Sequence, residues 1–516
     1  MEFVQQTGRC SAEVIFNRHP LAGVLQKSVA VEHPKPAARK IIPIVAVAGE
    51  ARPASGDDSE VISLYEGQKK IYPRSVTGLF SKWRWALVFL TQLVFYGLPW
   101  LEWGQRQAVL FDLEARRFYI VGLVLYPQDF IYLAGILVIS ALTLFLFTAV
   151  AGRQWCGYAC PQTVYTEIFL WLEKVTEGDR SARLRLDASL MSFNKFARKT
   201  GKQILWMALA LWTGFTFVGY FTPIKELGSS FASANLGPWE TFWVFFYGFA
   251  TYGNAGYLRE QVCKYMCPYA RFQSAMFDKD TLIVTYNEAR GEPRGSRSKK
   301  ADPSALGLGA CVDCTLCVQV CPTGIDIRQG LQYECISCAA CIDVCDTVMD
   351  KMGYPRGLIC YSTQNAMTQG WGRAQVLRRV FRPRVLVYSA ILLAVTTALF
   401  TSLVLRSPFR VDVDRDRASL ARIVSGGHIE NVYRLQVMNA TESRQSYRIA
   451  ATGLPGLKLV SEAEIVVNPT ESRWVPVTLQ LPYDAATAGS HEIHFEVEAV
   501  NAPGRVVEKS IFLVPR

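Results

Sequence analysis

The stretch Cys311-Val312-Asp313-Cys314-Thr315-Leu316-Cys317-Val318-Gln319-Val320-Cys321-Pro322 is repeated as Cys335-Ile336-Ser337-Cys338-Ala339-Ala340-Cys341-Ile342-Asp343-Val344-Cys345-Asp346. Both copies read Cys-x2-Cys-x2-Cys-x3-Cys. In this spacing three thiolates hold three corners of a 4Fe-4S cube, and the fourth reaches across to the neighbouring cube. The expected sets are therefore Cys311, Cys314, Cys317 and Cys345 for one cluster, and Cys335, Cys338, Cys341 and Cys321 for the second. Paired zinc sites also use Cys-x2-Cys but leave the fourth Cys of each run unexplained. A disulfide framework does not suit thiols on a reducing side. The second run ends in Cys345-Asp346 where the first has Cys321-Pro322, and a carboxylate there is expected to lower the potential of the adjoining cluster.

Outward from this stretch, the 516 residues are half apolar, with 12 Trp, 22 Tyr and 28 Phe, as membrane-spanning helices require. The formal charge is +11. From Arg406 onward 13 Lys and Arg balance 13 Asp and Glu, so the whole excess lies before that point. All 14 Cys lie at or before Cys360. Thiols and positive charge are thus confined to one part of the chain, as expected if the tail faces another compartment. No nucleic-acid motif accompanies the basic balance, which points to membrane lipid and away from nucleic acid.

Residues 1–82 are polar and broken by Pro34, Pro36, Pro43 and Pro53, and read as a flexible cytoplasmic arm. Five apolar stretches follow: Trp85 to Leu101, Phe130 to Gly152, Ile204 to Phe221, Thr241 to Leu258 and Val385 to Leu405. Each reaches or approaches the roughly 17–25 residues that a bilayer requires. Gly248, Gly253, Asn254 and Gly256 in the fourth suggest close helix packing. The loop between the second and third carries Arg153, Lys174, Arg180, Arg183, Arg185, Lys195, Arg198, Lys199 and Lys202, against Lys225 alone between the third and fourth. The positive-inside rule then places the N-terminus and the Cys-rich region in the cytoplasm and the tail outside. The first loop, with Arg106, Arg116 and Arg117, is a weaker contrary signal. The expectation is a multi-domain membrane protein: an arm (1–82), four helices (83–260), a cytoplasmic region (261–384) with an α+β two-cluster domain at about 300–360, a fifth helix (385–405) and an all-β domain (406–516).

That tail alternates apolar and polar residues, as in Val432-Tyr433-Arg434-Leu435-Gln436-Val437 and Ile493-His494-Phe495-Glu496-Val497, between turns at Gly453, Pro455-Gly456, Asn468-Pro469 and Pro503-Gly504. It reads as an immunoglobulin-like sandwich without a disulfide. His491 and His494, three apart, point to opposite faces of a strand and read as surface residues. None of the five His lies in or beside a span, which excludes haem held by two histidines within the membrane.

A second thiol set stands apart from the first. Cys156-Gly157-Tyr158-Ala159-Cys160-Pro161 ends the second stretch and Cys263-Lys264-Tyr265-Met266-Cys267-Pro268 ends the fourth, preceded by Arg153 and Arg259. The shared Cys-x-Tyr-x-Cys-Pro indicates a duplicated two-helix unit. Pro at the first position of a new helix sets Cys160 and Cys267 at helix N-termini, where the dipole and the nearby Arg153, Arg259 and Lys264 favour thiolate. Such thiolates suit Cu(I), with Met266 as a further thioether, or a dithiol relay, or another cluster. A buried structural pair is the plainer reading. Cys10 and Cys360 read as structural.

Together these residues resemble the cytochrome c oxidase accessory protein family called CcoG or FixG. The resemblance runs over about residues 60–516 and is carried by Lys70-Ile71-Tyr72-Pro73-Arg74, Arg153 to Thr163, Cys263 to Pro268, the eight ferredoxin-like cysteines and the trailing β domain. It implies a bacterial inner-membrane protein that reduces Cu(II) to Cu(I) for a cbb-type oxidase. The implied partners are the oxidase assembly machinery and a copper-exporting P-type ATPase. Two other readings stay open: a quinol-linked membrane ferredoxin feeding a periplasmic reductase, and a non-enzymatic assembly scaffold or redox sensor. No glycine-rich dinucleotide fingerprint follows a strand, so the electron donor is not written in the sequence.

Overall fold

The computed structural model describes residues 70–303, 305–416, 421–501 and 503–515; the expected arm lies outside these up to residue 69, as does Cys10. Helix α1 (Leu79–Gly97) has no side-chain cap of its own. Asp343 supplies one, its carboxylate accepting from Phe80 N at 3.2 Å and Ser81 N at 2.8 Å. That satisfies amides which a helix start otherwise leaves orphaned. The region after α1, expected as a loop, is an antiparallel meander of β1 (Val109–Asp112), β2 (Arg117–Ile120) and β3 (Leu123–Leu125). Then come α2 (Phe130–Ala151), α3 (Pro161–Glu177), α4 (Phe193–Val218), α5 (Pro238–Thr251) and α6 (Pro268–Met276). Pro opens α3, α5 and α6, where its missing N–H costs nothing. Strands β4 (Ile283–Tyr286) and β5 (Ile359–Ser362) pair antiparallel and bracket the Cys-rich loops and α7 (Ala340–Met352). Helix α8 (Pro383–Val404) leads to the tail.

Among the described residues two helices are long and apolar enough to cross a membrane, Pro127–Ala151 and Pro383–Val404. They pack antiparallel: Tyr132 donates to the Ser402 carbonyl at 3.2 Å near one end, and Arg382 Nη2 to the Ala149 carbonyl at 2.6 Å near the other. The other three expected spans are helical but fall short of that standard. Helix α1 carries Lys82 and Arg84 and ends at Gly97, α4 opens with Lys195, Arg198, Lys199 and Lys202, and α5 gives way to a π-helical stretch, Tyr252–Leu258. The five-span expectation is therefore met by length and composition at two helices. The expected close packing does occur: a Cβ on Gly214 of α4 would come within 2.2 Å of the Val244 carbonyl on α5, and one on Gly248 within 3.3 Å of the Ala210 carbonyl. Gly253 meets nothing.

The tail contains β6 (Phe409–Arg415), β7 (Arg422–Val424), β8 (His428–Asn439), β9 (Gln445–Thr452), β10 (Lys458–Leu459), β11 (Glu464–Val467), β12 (Ser472–Pro482), β13 (Gly489–Ala499) and β14 (Arg505–Val514). One sheet runs β10-β12-β8-β6 with β7 also on β8, and the other β11-β9-β13-β14. Alternate residues Ile493, Phe495 and Val497 of β13 are fully buried, as a strand with one face on a core requires. The sandwich rests on the meander: Met438 joins Leu110, Tyr119, Val124 and Tyr126 in one apolar cluster. Buried Asp129 pairs with Arg406 at 2.5 Å and Arg410 at 3.0 Å. His491 meets the Thr487 carbonyl and His494 meets Glu492, neither with a second histidine.

Candidate functional site

The two Cys-rich runs repeat in backbone as well as in sequence. Asp313 and Thr315 flank Cys314 with φ of 50° and 55°, and Ser337 and Ala339 flank Cys338 with 54° and 60°. Non-glycine residues rarely hold this left-handed conformation. Alternation of this kind turns successive N–H groups to one side and makes an anion-holding concavity of the sort found at iron–sulfur sites. Nothing in Asp, Thr, Ser or Ala announces it, so the sequence reading passed over it.

Two cavities lie beneath these loops. One is lined by Cys311, Cys314, Cys317 and Cys345, the other by Cys321, Cys335, Cys338 and Cys341. Cys317 borders both. Most of the remaining wall is apolar, with Met349, Leu358 and Ile359 around the first and Val284, Ile325 and Ile327 around the second, while Thr315 and Arg328 also border the first and Thr323 the second. Among the described residues no three His, Cys, Asp or Glu close to the spacing of a single bound ion. An all-sulfur donor set spread around a small dry cavity fits a polynuclear iron–sulfur group, not a lone zinc. Burial pushes the Cys317 thiol up to about 11 and the Cys335 thiol up to about 12, so loading at these positions must displace protons. Asp346 adds its charge at Cys345, and Arg328 sits between Asp326 at 2.7 Å and Asp313 at 2.5 Å beside Cys317.

The second thiol set converges. Cys156 lies in the short helix Gln154–Tyr158, and Cys263 in the π-helical turn Val262–Met266. Cys160 and Cys267 cap α3 and α6 in nearly the same backbone conformation. Every one of the six pairings among these four thiols is close enough for each to feel the other's charge. The group adjoins the second cavity. A Cβ on Gly157 would lie 2.6 Å from the Ile336 carbonyl and 2.8 Å from Cys338 Cα, so the motif turn presses on the loop itself. Arg153 fixes the same junction, donating to the Tyr333 carbonyl and, at 2.5 Å, to the Ala270 carbonyl. Gln273, fully buried on α6, lies 3.5 Å from Cys156 Sγ; no motif pointed to it.

Two expectations for these thiols are corrected. Burial outweighs the helix dipole at Cys160, whose thiol is pushed up, and it raises Cys156 to about 11 and Cys263 to about 12, so none of these three is a ready thiolate. Of the three cations only Arg153 opposes this, because Arg259 is spent on Glu173 at 3.2 Å, a buried carboxylate shared with Arg183 and Lys202. The Met266 side chain is 58% exposed. Cys360 is buried on β5, apart from both sets.

Residues 258–364 match the family described as a 4Fe-4S dicluster domain, residues 133–176 a 4Fe-4S binding domain, and residues 399–515 the immunoglobulin-like fold at the C-terminus of FixG. Nitrogen fixation protein FixG of Rhizobium meliloti is 40% identical over 76% of this chain and 81% of its own length. Protein RdxB of Cereibacter sphaeroides is 39% identical over 88% of this chain and 98% of its own length. The chain belongs to the FixG family. A solved FixG-related protein from Vibrio parahaemolyticus is 27% identical over 21% of this chain and 97% of that one, with a TM-score of 0.20. This FixG-family chain therefore carries a 4Fe-4S dicluster domain and an immunoglobulin-like domain. Its Lys70-Ile71-Tyr72-Pro73-Arg74 motif meets the Cys-rich region directly, with Arg74 N donating to the Gln319 carbonyl at 2.8 Å.

Proposed function

We propose that this chain is a membrane-bound electron-transfer protein that reduces Cu(II) to Cu(I) for the copper centre of a cbb-type cytochrome c oxidase. In this reading Cys311, Cys314, Cys317 and Cys345 hold one 4Fe-4S cluster and Cys335, Cys338, Cys341 and Cys321 the second. Cys156, Cys160, Cys263 and Cys267 receive copper. One observation carries it: the Gly157 turn lies so close against the Ile336–Cys338 backbone that a Cβ at Gly157 would collide with it.

The clusters, when bound, supply one-electron storage and transfer. Everything else falls to the protein. Cys317, on the wall of both cavities, joins them, and the apolar walls exclude water. Thiolate sulfur prefers Cu(I) to Cu(II), which favours the reduced product. Five spans would place the thiols at the cytoplasmic edge of the bacterial inner membrane and the sandwich in the periplasm. Oxidase assembly factors and a copper-exporting P-type ATPase would take the ion onward.

A second reading is favoured by two observations: the four thiols stand wider than a single ion's shell, and the 4Fe-4S binding match covers Cys156 and Cys160. In that reading Cys263 and Cys267 complete the ligands of a third cluster, and copper is reduced at its edge. The deciding experiment is anaerobic: reduce the protein, add Cu(II), and follow cluster absorbance with Cu(I) captured by a chelator. Matched cluster oxidation and Cu(I) appearance support cupric reduction, and clusters that stay reduced would sink it. Iron near 12 rather than about 8 atoms per chain selects the third-cluster form.

A further inference from the structure

We propose that the cavity of about 360 Å³ at the start of α1 is a quinol-binding site, the entry point for electrons; this rests on the reading that Cys335, Cys338, Cys341 and Cys321 hold a cluster. Its inner wall is built from residues adjoining that group's ligands. Val320 and Pro322 flank Cys321, and Ala340 precedes Cys341. The Arg84 and Glu167 charges are both felt at Cys338. Whatever occupies the cavity is one residue away from the cluster's ligands.

Its mouth has the character of a membrane interface. Trp85 on α1 and Trp171 on α3 meet edge to face with ring centroids 6.4 Å apart. Indoles at the start of a span sit at headgroup level. From Trp85 an i, i+4 row continues up α1 through Phe89 and Leu93, 68% and 72% exposed. A planar head in the cavity would leave its apolar tail along this row, in lipid.

The interior supplies what a quinol's two oxygens need. Arg84 is 6% exposed, its Nη2 lies 3.3 Å from Glu167 Oε1, and its Nε has no hydrogen-bond partner among the described residues. An unpaired buried N–H is costly and suits an incoming oxygen acceptor. Glu167 accepts from a hydroxyl. The wall also carries Arg74, Lys82 and Lys174 beside Asp179, while Arg183 is committed to Glu173, so an anionic lipid headgroup is the competing occupant.

The stoichiometry closes. Both quinol O–H bonds break, and two electrons leave one at a time for two one-electron clusters. Each proton passes to the Glu167 carboxylate and on to water at the mouth, and a quinone remains. One quinol then serves two Cu(II) ions.

The test uses the full chain in phosphatidylcholine nanodiscs under argon, with a short-chain naphthoquinone for calorimetric titration and its quinol for reduction. Expected are saturable binding, bleaching of cluster absorbance by the quinol, and binding at least tenfold weaker in Trp171→Ala with iron content and dithionite bleaching unchanged. Glu167→Gln should bind the quinone within about threefold but bleach at least tenfold more slowly. Normal dithionite bleaching with no quinone binding would overturn the proposal, as would unchanged binding in Trp171→Ala. Displacement of the quinone by phosphatidylglycerol nanodiscs would overturn it in favour of a lipid headgroup. A chain without iron would instead defeat the cluster reading, while the titration still decides the cavity.

Discussion

In the first Cys-x-Tyr-x-Cys-Pro copy, Gly157 touches the Ile336 and Cys338 backbone, Tyr158 is buried, and Arg153 ties the turn to Tyr333 and Ala270. In the second, Lys264 replaces the glycine, Tyr265 is 66% exposed, and Arg259 turns away to Glu173. The four cysteines are used alike and the residues between them are not. Duplication accounts for a shared sulfur site, and divergence accounts for why the closest backbone approach to the cluster loops is made by the first half. A protein moving electrons between the two regions needs a single close junction, and the first copy is that junction.

This contrast can be broken in four places. Gly157→Ala forces a methyl into backbone that cannot yield, and should cost about 3 kcal/mol, the upper range for overpacking, with loss of iron from the second cluster. Lys264→Ala should leave thermal unfolding and iron unchanged. The next effect is in pH. Burial raises the Cys156 proton affinity in the folded chain, from 9.0 to about 11. The Cys156 share of the metal-free protein's stability is then intact below pH 9 and falls by about 2–3 kcal/mol as pH rises through 11. Urea unfolding of metal-free protein should show the fall, and Cys156→Ser should remove part of it. Third, Arg153→Gln leaves two part-buried carbonyls short of a donor and should cost about 1–2 kcal/mol. Arg259→Gln leaves Glu173 with Arg183 and Lys202, so its cluster spectrum should stay normal. Smallest is Tyr158→Phe, about 1 kcal/mol by thermal melt, because its hydroxyl lies 3.3 Å from that of Tyr361, which itself donates to Ser337 O at 2.5 Å. Tyr265→Phe should fall within about 0.5 kcal/mol, as surface changes do.

Much of this was legible because cysteine spacing is chemistry written in one dimension. The grouping of Cys345 with the first run and Cys321 with the second, the duplicated motif, and the alternating strands such as Ile493 to Val497 all follow from local pattern. What was not legible depends on burial or on distant partners. The dipole argument for Cys160 was sound locally, and desolvation reversed it. The meander at Val109–Leu125 was hidden in a loop because its packing partner, Met438, is more than 300 residues away. Asp343, inside the second Cys run, caps α1, and no cap signal is written near Leu79. Gln273 became visible only when α6 was folded against Cys156. Of the three less apolar helices, two begin with cations ahead of the apolar run and the third gives way to a π-helical turn inside it.

The central claim is that Cys156, Cys160, Cys263 and Cys267 form one site. It is tested most directly by measuring thiol-bound metal, iron and copper together, in Cys160→Ser, Cys267→Ser and the double variant, after anaerobic loading and with the eight cluster cysteines intact. A shared site predicts that either single variant loses as much metal as the double, since residues acting as one unit are non-additive. If each single variant loses half and only the double loses all, the two copies bind independently and the account is wrong.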